Sequence, residues 1–182
     1  SSDVCSSDLY DCIGVQMEYW TEGSCTISGE DIEKSIPDNR FSKKPTNKCC
    51  SPEGLLITRT ICEHLDIPFY VHNVVDTFKE KIVDTYIDTY KTGKTPNPCT
   101  ECNKHIKFGA LLEFAKTIGA DKVATGHYGQ VRHSQETGKY ELHEAVDKNK
   151  DQSYFLYGLT QNQLAQTLLP LGGMQKEHVR EI

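Results

Sequence analysis

The sequence predicts an α/β fold, an open parallel sheet flanked by helices. Short apolar runs of strand length alternate with longer segments of helical periodicity. Their order, strand, helix, strand, helix, helix, strand, is that of parallel strands joined by helical crossovers. In such a sheet, ligands sit beyond the carboxyl ends of the strands.

Each element has its own signature. Residues 12–17 (CIGVQM) are a short apolar run and read as a buried strand. Residues 21–52 are polar, with Gly, Pro, Ser and Asn throughout, and read as a long loop. Ser51, Pro52 and Glu53 then supply an N-cap, a first-position proline and a first-turn acid. Leu56, Ile57, Ile61 and Leu65 give the helix that follows an apolar face. Residues 68–75 (PFYVHNVV) are the second strand. Phe78, Ile82, Tyr86 and Tyr90 mark a second helix ending near Gly93. Thr95-Pro96-Asn97-Pro98 is a rigid turn. A third helix spans 103–118, with Ile106, Leu111, Phe114 and Ile118 inward and Gly119 at its end. Residues 122–124 are a third strand leading into Gly126 and His127. Residues 130–133 and 140–146 flank a turn at 135–138 and read as a hairpin. The remainder reads as helical.

Length, 182 residues, permits one domain, or one domain with part of another. No stretch approaches the roughly 20 apolar residues of a membrane span and no signal peptide is visible, which favours the cytoplasm. Net charge is −6, acidic for a nucleic-acid binder. The charge is uneven, however. Residues 91–110 carry four lysines against one acid, whereas residues 10–40 carry seven acids against two bases. A local basic face can hold phosphate on an acidic protein.

The ends are unusual. Residues 1–9, SSDVCSSDL, form a direct repeat without apolar periodicity and are read as a cloning or sequencing scar, the alternative being a natural disordered tail. Residues 179–182 stop inside a helical pattern with no cap, so the chain is expected to be cut at both ends.

Eight cysteines stand at 5, 12, 25, 49, 50, 62, 99 and 102. Strand and helix patterns between them argue against a disulfide scaffold and for reduced thiols. Cys99 and Cys102 form a C-x-x-C beside the prolines that lead into a helix. With Cys102 near that helix's N-terminus, and Lys104, His105 and Lys107 nearby, a thiolate is favoured there. A thiolate is the reactive species in disulfide and persulfide exchange. Other readings stay open. The pair is equally half of a zinc site completed by Cys49-Cys50 or a histidine, two ligands of an iron–sulfur cluster, or a redox couple. Cys12, Cys25 and Cys62 are read as structural, and Cys49-Cys50 as leaning that way.

Five segments together carry a family resemblance. TPNPCTECNKHIKFG (95–109) resembles the TPNP-x-x-x-CNK-x-IKF segment of MnmA-type tRNA 2-thiouridylases. ATGHY (124–128), NKDQSYFL (149–156), LLPLGG (168–173) and GVQMEYW (14–20) resemble further segments in the family's order. The resemblance implies an adenine nucleotide alpha hydrolase-like, pyrophosphate-loop fold, here incomplete. It places a partial ATP-binding catalytic domain at 10–148 and a helical segment leading to a missing central domain at 149–182.

The implied activity is tRNA-uridine 2-sulfurtransferase. ATP with Mg2+ adenylates the C2 oxygen of the wobble uridine, and a cysteine persulfide delivers sulfur. The implied partners are tRNA and a cysteine desulfurase or sulfur-relay protein. By resemblance, Cys102 matches the first catalytic cysteine. Met17 and Gly126 match ATP contacts. Asn97, Pro98 and Cys99 match positions that meet the target base. His127, Lys150, Asp151 and Gln152 match tRNA contacts. Taken singly, Met17 reads as core, Gly126 as a turn glycine, His127 as structural and residues 150–152 as a solvated cluster.

The chain departs from the family in three ways. The family's SGG-x-DS loop binds ATP phosphates through glycines and backbone N–H groups. SSDVCSSDL lacks glycine, so no role passes to Ser6, Ser7 or Asp8, and the chain as written is expected to bind ATP poorly. The family's second catalytic cysteine lies downstream of Ile182. Many members have Asp where this chain has Cys99. The C-x-x-C form resembles thiolation enzymes that hold a [4Fe–4S] cluster on three cysteines, which would make Cys99 and Cys102 metal ligands. A non-catalytic zinc-binding or tRNA-binding module is the rival reading.

Overall fold

The computed structural model describes residues 10–19 and 52–182. The 1–9 repeat, the polar segment after Tyr19, the Ser51 cap, and Cys5, Cys25, Cys49 and Cys50 lie outside the described residues. The described residues divide into two units, 12–19 with 52–75, and 10–11 with 76–182.

In the first unit, β1 (Gly14–Glu18) pairs in parallel with β2 (Phe69–Asn73), in register Gly14 to Phe69 through Glu18 to Asn73. The crossover between them contains α1 (Pro52–His64). The apolar face expected for α1 is only partly the buried one. Ile57 and Ile61 are exposed, and Cys62 is the buried residue. The reason is a close approach. A Cβ on Gly14 would overlap Cys62 Sγ, so the glycine lets the helix thiol sit against the strand backbone. Burial and the adjacent Glu63 push that thiol's pKa up, in keeping with a structural cysteine. Thr58 adds a second tie, its hydroxyl lying 3.1 Å from Gln16 Oε1.

The second unit opens with a nearly continuous helical run. It comprises α2 (Val75–Phe78), whose first residue lies at the unit boundary, a π-helical stretch π1 (Lys79–Asp84) and α3 (Thr85–Lys91). The four-residue repeat is there, but only Ile82 is buried. Tyr86 and Tyr90 stack on each other in the exposed part, with ring centroids 6.2 Å apart. Gly93, at φ 77°, ends the run as anticipated.

The next helix begins five residues before the expected 103. It comprises α4 (Pro98–Cys102), π2 (Asn103–Ala110) and α5 (Leu111–Thr117). Asn97 is the cap, its side chain accepting the Cys99 N–H at 3.2 Å, and Pro98 takes the first position, where a missing N–H costs nothing. In π2 the turns widen, and the Leu111 N–H reaches Ile106 O, five residues back. Ile106 and Phe108 are fully buried there, with Leu111, Leu112 and Ala115 following. Burying each large side chain contributes about 1.5–3 kcal/mol before entropy. Phe114 and Ile118 are half-buried.

Beyond this helix, β3 (Val123–Ala124) pairs in parallel with β6 (Thr167–Leu168). Between them lies the expected hairpin, β4 (Gln130–His133) against β5 (Tyr140–His143), turning through Gly138 at φ 65°. Residues after 149 are less helical than expected. They form 3-10 turns at Ser153–Leu156 and Pro170–Gly173, α6 (Gln161–Ala165), the strand β6, and α7 (Lys176–Val179). They are built into the same unit as the cysteine helix. Tyr128, Ala145, Leu171 and Val179 form one buried cluster, with Met174 against it. The parallel pairings, with helices in their crossovers, give the α/β class. Among the described residues, no helix is long and apolar enough to cross a membrane.

Candidate functional site: the cysteine helix and the loops beside it

Asn97 and Pro98 fix where the cysteine helix starts, and that start decides what each cysteine can do. Cys99 lies in the first turn and is exposed, its backbone N–H already committed to the Asn97 side chain. Thr100 is buried, and its hydroxyl donates to Asn97 O at 2.9 Å, closing the turn. Cys102 falls at the end of α4, one turn further in, and is half-buried. The helix-terminal position expected for Cys102 therefore belongs to Cys99. His105 Nε2 lies 3.3 Å from Glu101 Oε2, one turn back along the helix.

Asn103 follows Cys102 and is almost wholly buried. Its Nδ2 donates to Phe155 O at 2.9 Å, and its Oδ1 has no hydrogen-bond partner. This bond joins the cysteine helix to the 3-10 turn after Gln152. A second tie comes from Gln163, whose Nε2 donates to Lys104 O at 3.0 Å and to Phe108 O at 2.6 Å. Its Oε1 accepts from the Thr160 N–H and hydroxyl, completing a capping box on α6. Neither Asn103 nor Gln163 was singled out from the sequence. The T-x-x-Q spacing at Thr160 and Gln163 was a visible signal for the cap but not for the clamp on π2.

The loop after β3 carries Gly126 and His127. Gly126 is exposed, and a Cβ there would meet only Leu171 at an ordinary 3.7 Å. His127 Nδ1 lies 2.8 Å from Thr125 Oγ1, and its ring packs on Phe108, centroids 5.9 Å apart. Burial, reinforced by the Lys107 charge, lowers its pKa to about 4, so the imidazole is neutral near pH 7.

Residues 150–152 divide by role. Lys150 is exposed. Asp151 turns inward, accepting the Ala145 N–H at 2.7 Å and the Ser153 hydroxyl at 2.7 Å. Burial raises its pKa, but these hydrogen bonds and the Lys148 charge outweigh that and hold it below the usual carboxylate range. Gln152 is bonded twice to Tyr128, whose N–H it accepts at 3.0 Å and whose carbonyl receives the Gln152 N–H at 2.7 Å. Met17 lies within β1 rather than after it, half-buried, with the Tyr19 hydroxyl 3.7 Å from its sulfur.

Cys99 and Cys102 offer two metal ligands. Among the described residues, no group of three His, Cys, Asp or Glu stands ready to hold a metal. A cluster on this pair would need a third ligand from outside those residues. For ATP, Gly126 is exposed, but a Cβ there would make only ordinary contact with Leu171, so the local geometry sets no requirement for glycine. Residues 1–9, which stand where the family's phosphate-binding loop is expected, lack its glycines and lie outside the described residues.

Comparison with known proteins adds to this geometry. Residues 3–182 match the family model described as the tRNA methyl transferase HUP domain. A curated relative from Solibacter usitatus, named tRNA-specific 2-thiouridylase MnmA, is 42% identical over 93% of this chain and 43% of its own length. Relatives of the same name from Clostridioides difficile and Leptospira biflexa are each 44% identical over 95% of the chain, covering 43% and 41% of their lengths. The chain thus spans less than half the length of the curated relatives it matches.

Proposed function

The chain belongs to the tRNA methyl transferase HUP domain family, and on that footing we propose that it is the nucleotide-binding, catalytic part of a tRNA-uridine 2-sulfurtransferase acting on the wobble uridine. One observation carries the reading. A half-buried thiol, Cys102, stands one turn behind an exposed helix start made by Asn97, Pro98 and Cys99. A base turned out of its stack can meet such a helix start, as base-modifying enzymes require.

In this reading, ATP, with Mg2+, adenylates the uridine C2 oxygen and turns it into a leaving group. By the family resemblance, Met17 in the first unit and Gly126 in the second are each a position for ATP contact. Cys102, loaded as a persulfide by a cysteine desulfurase or relay protein, delivers sulfur to C2. The adenylated oxygen departs as AMP, and a second cysteine, outside this sequence, attacks the Cys102 sulfur, freeing the 2-thiouridine and leaving a disulfide. Lys150 supplies tRNA phosphate contact, and Asp151 and Gln152 hold the loop that presents it. His127, being neutral, can offer tRNA a hydrogen bond but not a charge. Residues 10–148 form the ATP-dependent part, residues 149–182 lead toward further segments, and the reaction is cytoplasmic. The exposed Cys99 favours one variant, in which Cys99 and Cys102 are two ligands of a [4Fe–4S] cluster and Cys102 is held rather than nucleophilic.

The test is complementation with the complete parent gene in cells lacking their own 2-thiouridylase, reading 2-thiouridine in digested tRNA by mass spectrometry. Return of 2-thiouridine, lost with Cys102→Ala but kept with Cys99→Ala, supports the persulfide route. Loss with both substitutions favours the cluster. No product from soluble protein supplied with a matched sulfur donor removes the uridine assignment and favours a zinc- or tRNA-binding module.

A further inference from the structure

The clamp on π2 has a function that the site residues alone do not account for. The Gln163 side chain has two N–H donors and an oxygen with two lone pairs. All four are used, two on the carbonyls of Lys104 and Phe108 and two on Thr160. The two carbonyls belong to a π-helical stretch that begins directly after Cys102. Wide turns of this kind are costly and concentrate at functional sites. Gly109 fits the same geometry, since a Cβ there would press on Lys104 O at 3.1 Å. Phe108, whose carbonyl is clamped, also backs the His127 ring. Four residues after Gln163, Thr167 pairs with Val123 in the strand that leads to that loop. One amide thus links the turn behind Cys102 to the scaffold of the Gly126–His127 loop.

We propose that Gln163 is a positioning residue for sulfur transfer, fixing the Cys102 thiol relative to the His127 loop by holding the Lys104 and Phe108 carbonyls in the π turn. The proposal rests on the sulfurtransferase reading. It acts through backbone placement, and Gln163 touches no reacting atom.

Gln163→Met keeps the length and removes both donors. In the complete protein it lowers kcat for tRNA thiolation by about tenfold or more and leaves KM for tRNA within about twofold, because small misplacements act on the chemical step. In the same variant, peptide-resolved alkylation with iodoacetamide shifts the ratio of Cys102 to Cys99 modification by about threefold, since reactivity follows each thiol's surroundings. A folded variant with both kcat and the ratio unchanged overturns the proposal. If Gln163→Met melts below the assay temperature, Gln163→Lys, whose ammonium can donate to both carbonyls, takes its place. Retained kcat and alkylation ratio then support the clamp, and their loss in folded protein overturns it. If the wild type makes no 2-thiouridine, the sulfurtransferase reading fails by itself. The alkylation ratio still decides whether Gln163 places Cys102.

Discussion

Gln152 holds Tyr128 at both of its backbone polar groups, accepting its N–H at 3.0 Å and donating to its carbonyl at 2.7 Å. The side-chain oxygen and the backbone N–H of Gln152 together stand in for a strand neighbour, pinning the His127–Tyr128 segment to the turn that follows Lys150. Gln152→Ala is expected to lower stability by about 1–2 kcal/mol, since a half-buried N–H loses its acceptor. Lys150→Ala should leave stability within about 0.5 kcal/mol. It should instead weaken tRNA binding and reduce the salt slope of log K by about one. Urea denaturation and tRNA binding at several salt concentrations separate the two. Equal stability losses in both variants would refute the division of roles.

His127 gives a pH signature. Its folded pKa, about 4, lies below the ordinary 6.5, so the unfolded chain binds more protons between those values. The stabilisation from the neutral, packed imidazole is complete above pH 6.5 and is lost as pH falls toward 4. Its size is of the order of 2 kcal/mol, reduced from the full shift for partial solvent access. NMR titration should show no His127 transition above pH 5. His127→Gln should flatten the stability profile between pH 6.5 and 4. A His127 midpoint near 6.5 would remove the neutral-imidazole role.

The paired glycines of the 3-10 turn at Pro170–Gly173 are expected to behave oppositely. A Cβ on Gly172 would collide with Gly129 O, backbone against backbone, whereas Gly173 faces open space. Gly172→Ala should cost about 3 kcal/mol or more, or prevent folding, because overpacking of backbone has no soft side chain to absorb it. Gly173→Ala should change stability by less than about 1 kcal/mol. Expression yield and melting temperature distinguish them.

Gly14 and Cys62 form a testable couple within the first unit. Gly14→Ala forces its methyl onto Cys62 Sγ and should cost about 1–3 kcal/mol. Cys62→Ala alone should cost about 1 kcal/mol for the lost buried sulfur. The double variant should be more stable than the sum of the two losses predicts, by a coupling of about 1 kcal/mol. Strict additivity would show that the two residues do not share that space.

Much of this architecture was legible in local sequence. The strands β1 and β2, the hairpin turning at Gly138 and the Gly93 stop each follow from short-range patterns. Asn97 and Pro98 mark a helix start too, but reading the proline turn as a separate connector displaced that start by five residues. That displacement moved the terminal position from Cys99 to Cys102. What stayed hidden was non-local. Neither π stretch has a propensity signature, and the side chain that clamps π2, Gln163, lies far along the chain. The two-residue strand β6 is too short for a period and lay in a segment rich in helix formers. In α1 the periodicity selected Ile57 and Ile61, while the buried position went to Cys62, which the approach of Gly14 alone makes possible. Asp151 and Gln152 looked like a solvated charge cluster because their acceptors and donors, Ala145 and Tyr128, come from earlier loops.

The parallel pairing of Val123–Ala124 with Thr167–Leu168 encloses residues 125–166, and the hairpin lies inside that excursion. Closing a long loop costs entropy that grows slowly with its length, and a hairpin formed first shortens the free chain to be closed. Early pairing of β4 with β5 would therefore ease closure of the Gly126–His127 loop, and the exposed turn at Gly138 is where added residues should be tolerated. Lengthening that turn should slow refolding modestly while leaving the unfolding rate, and the site beside the cysteines, nearly untouched.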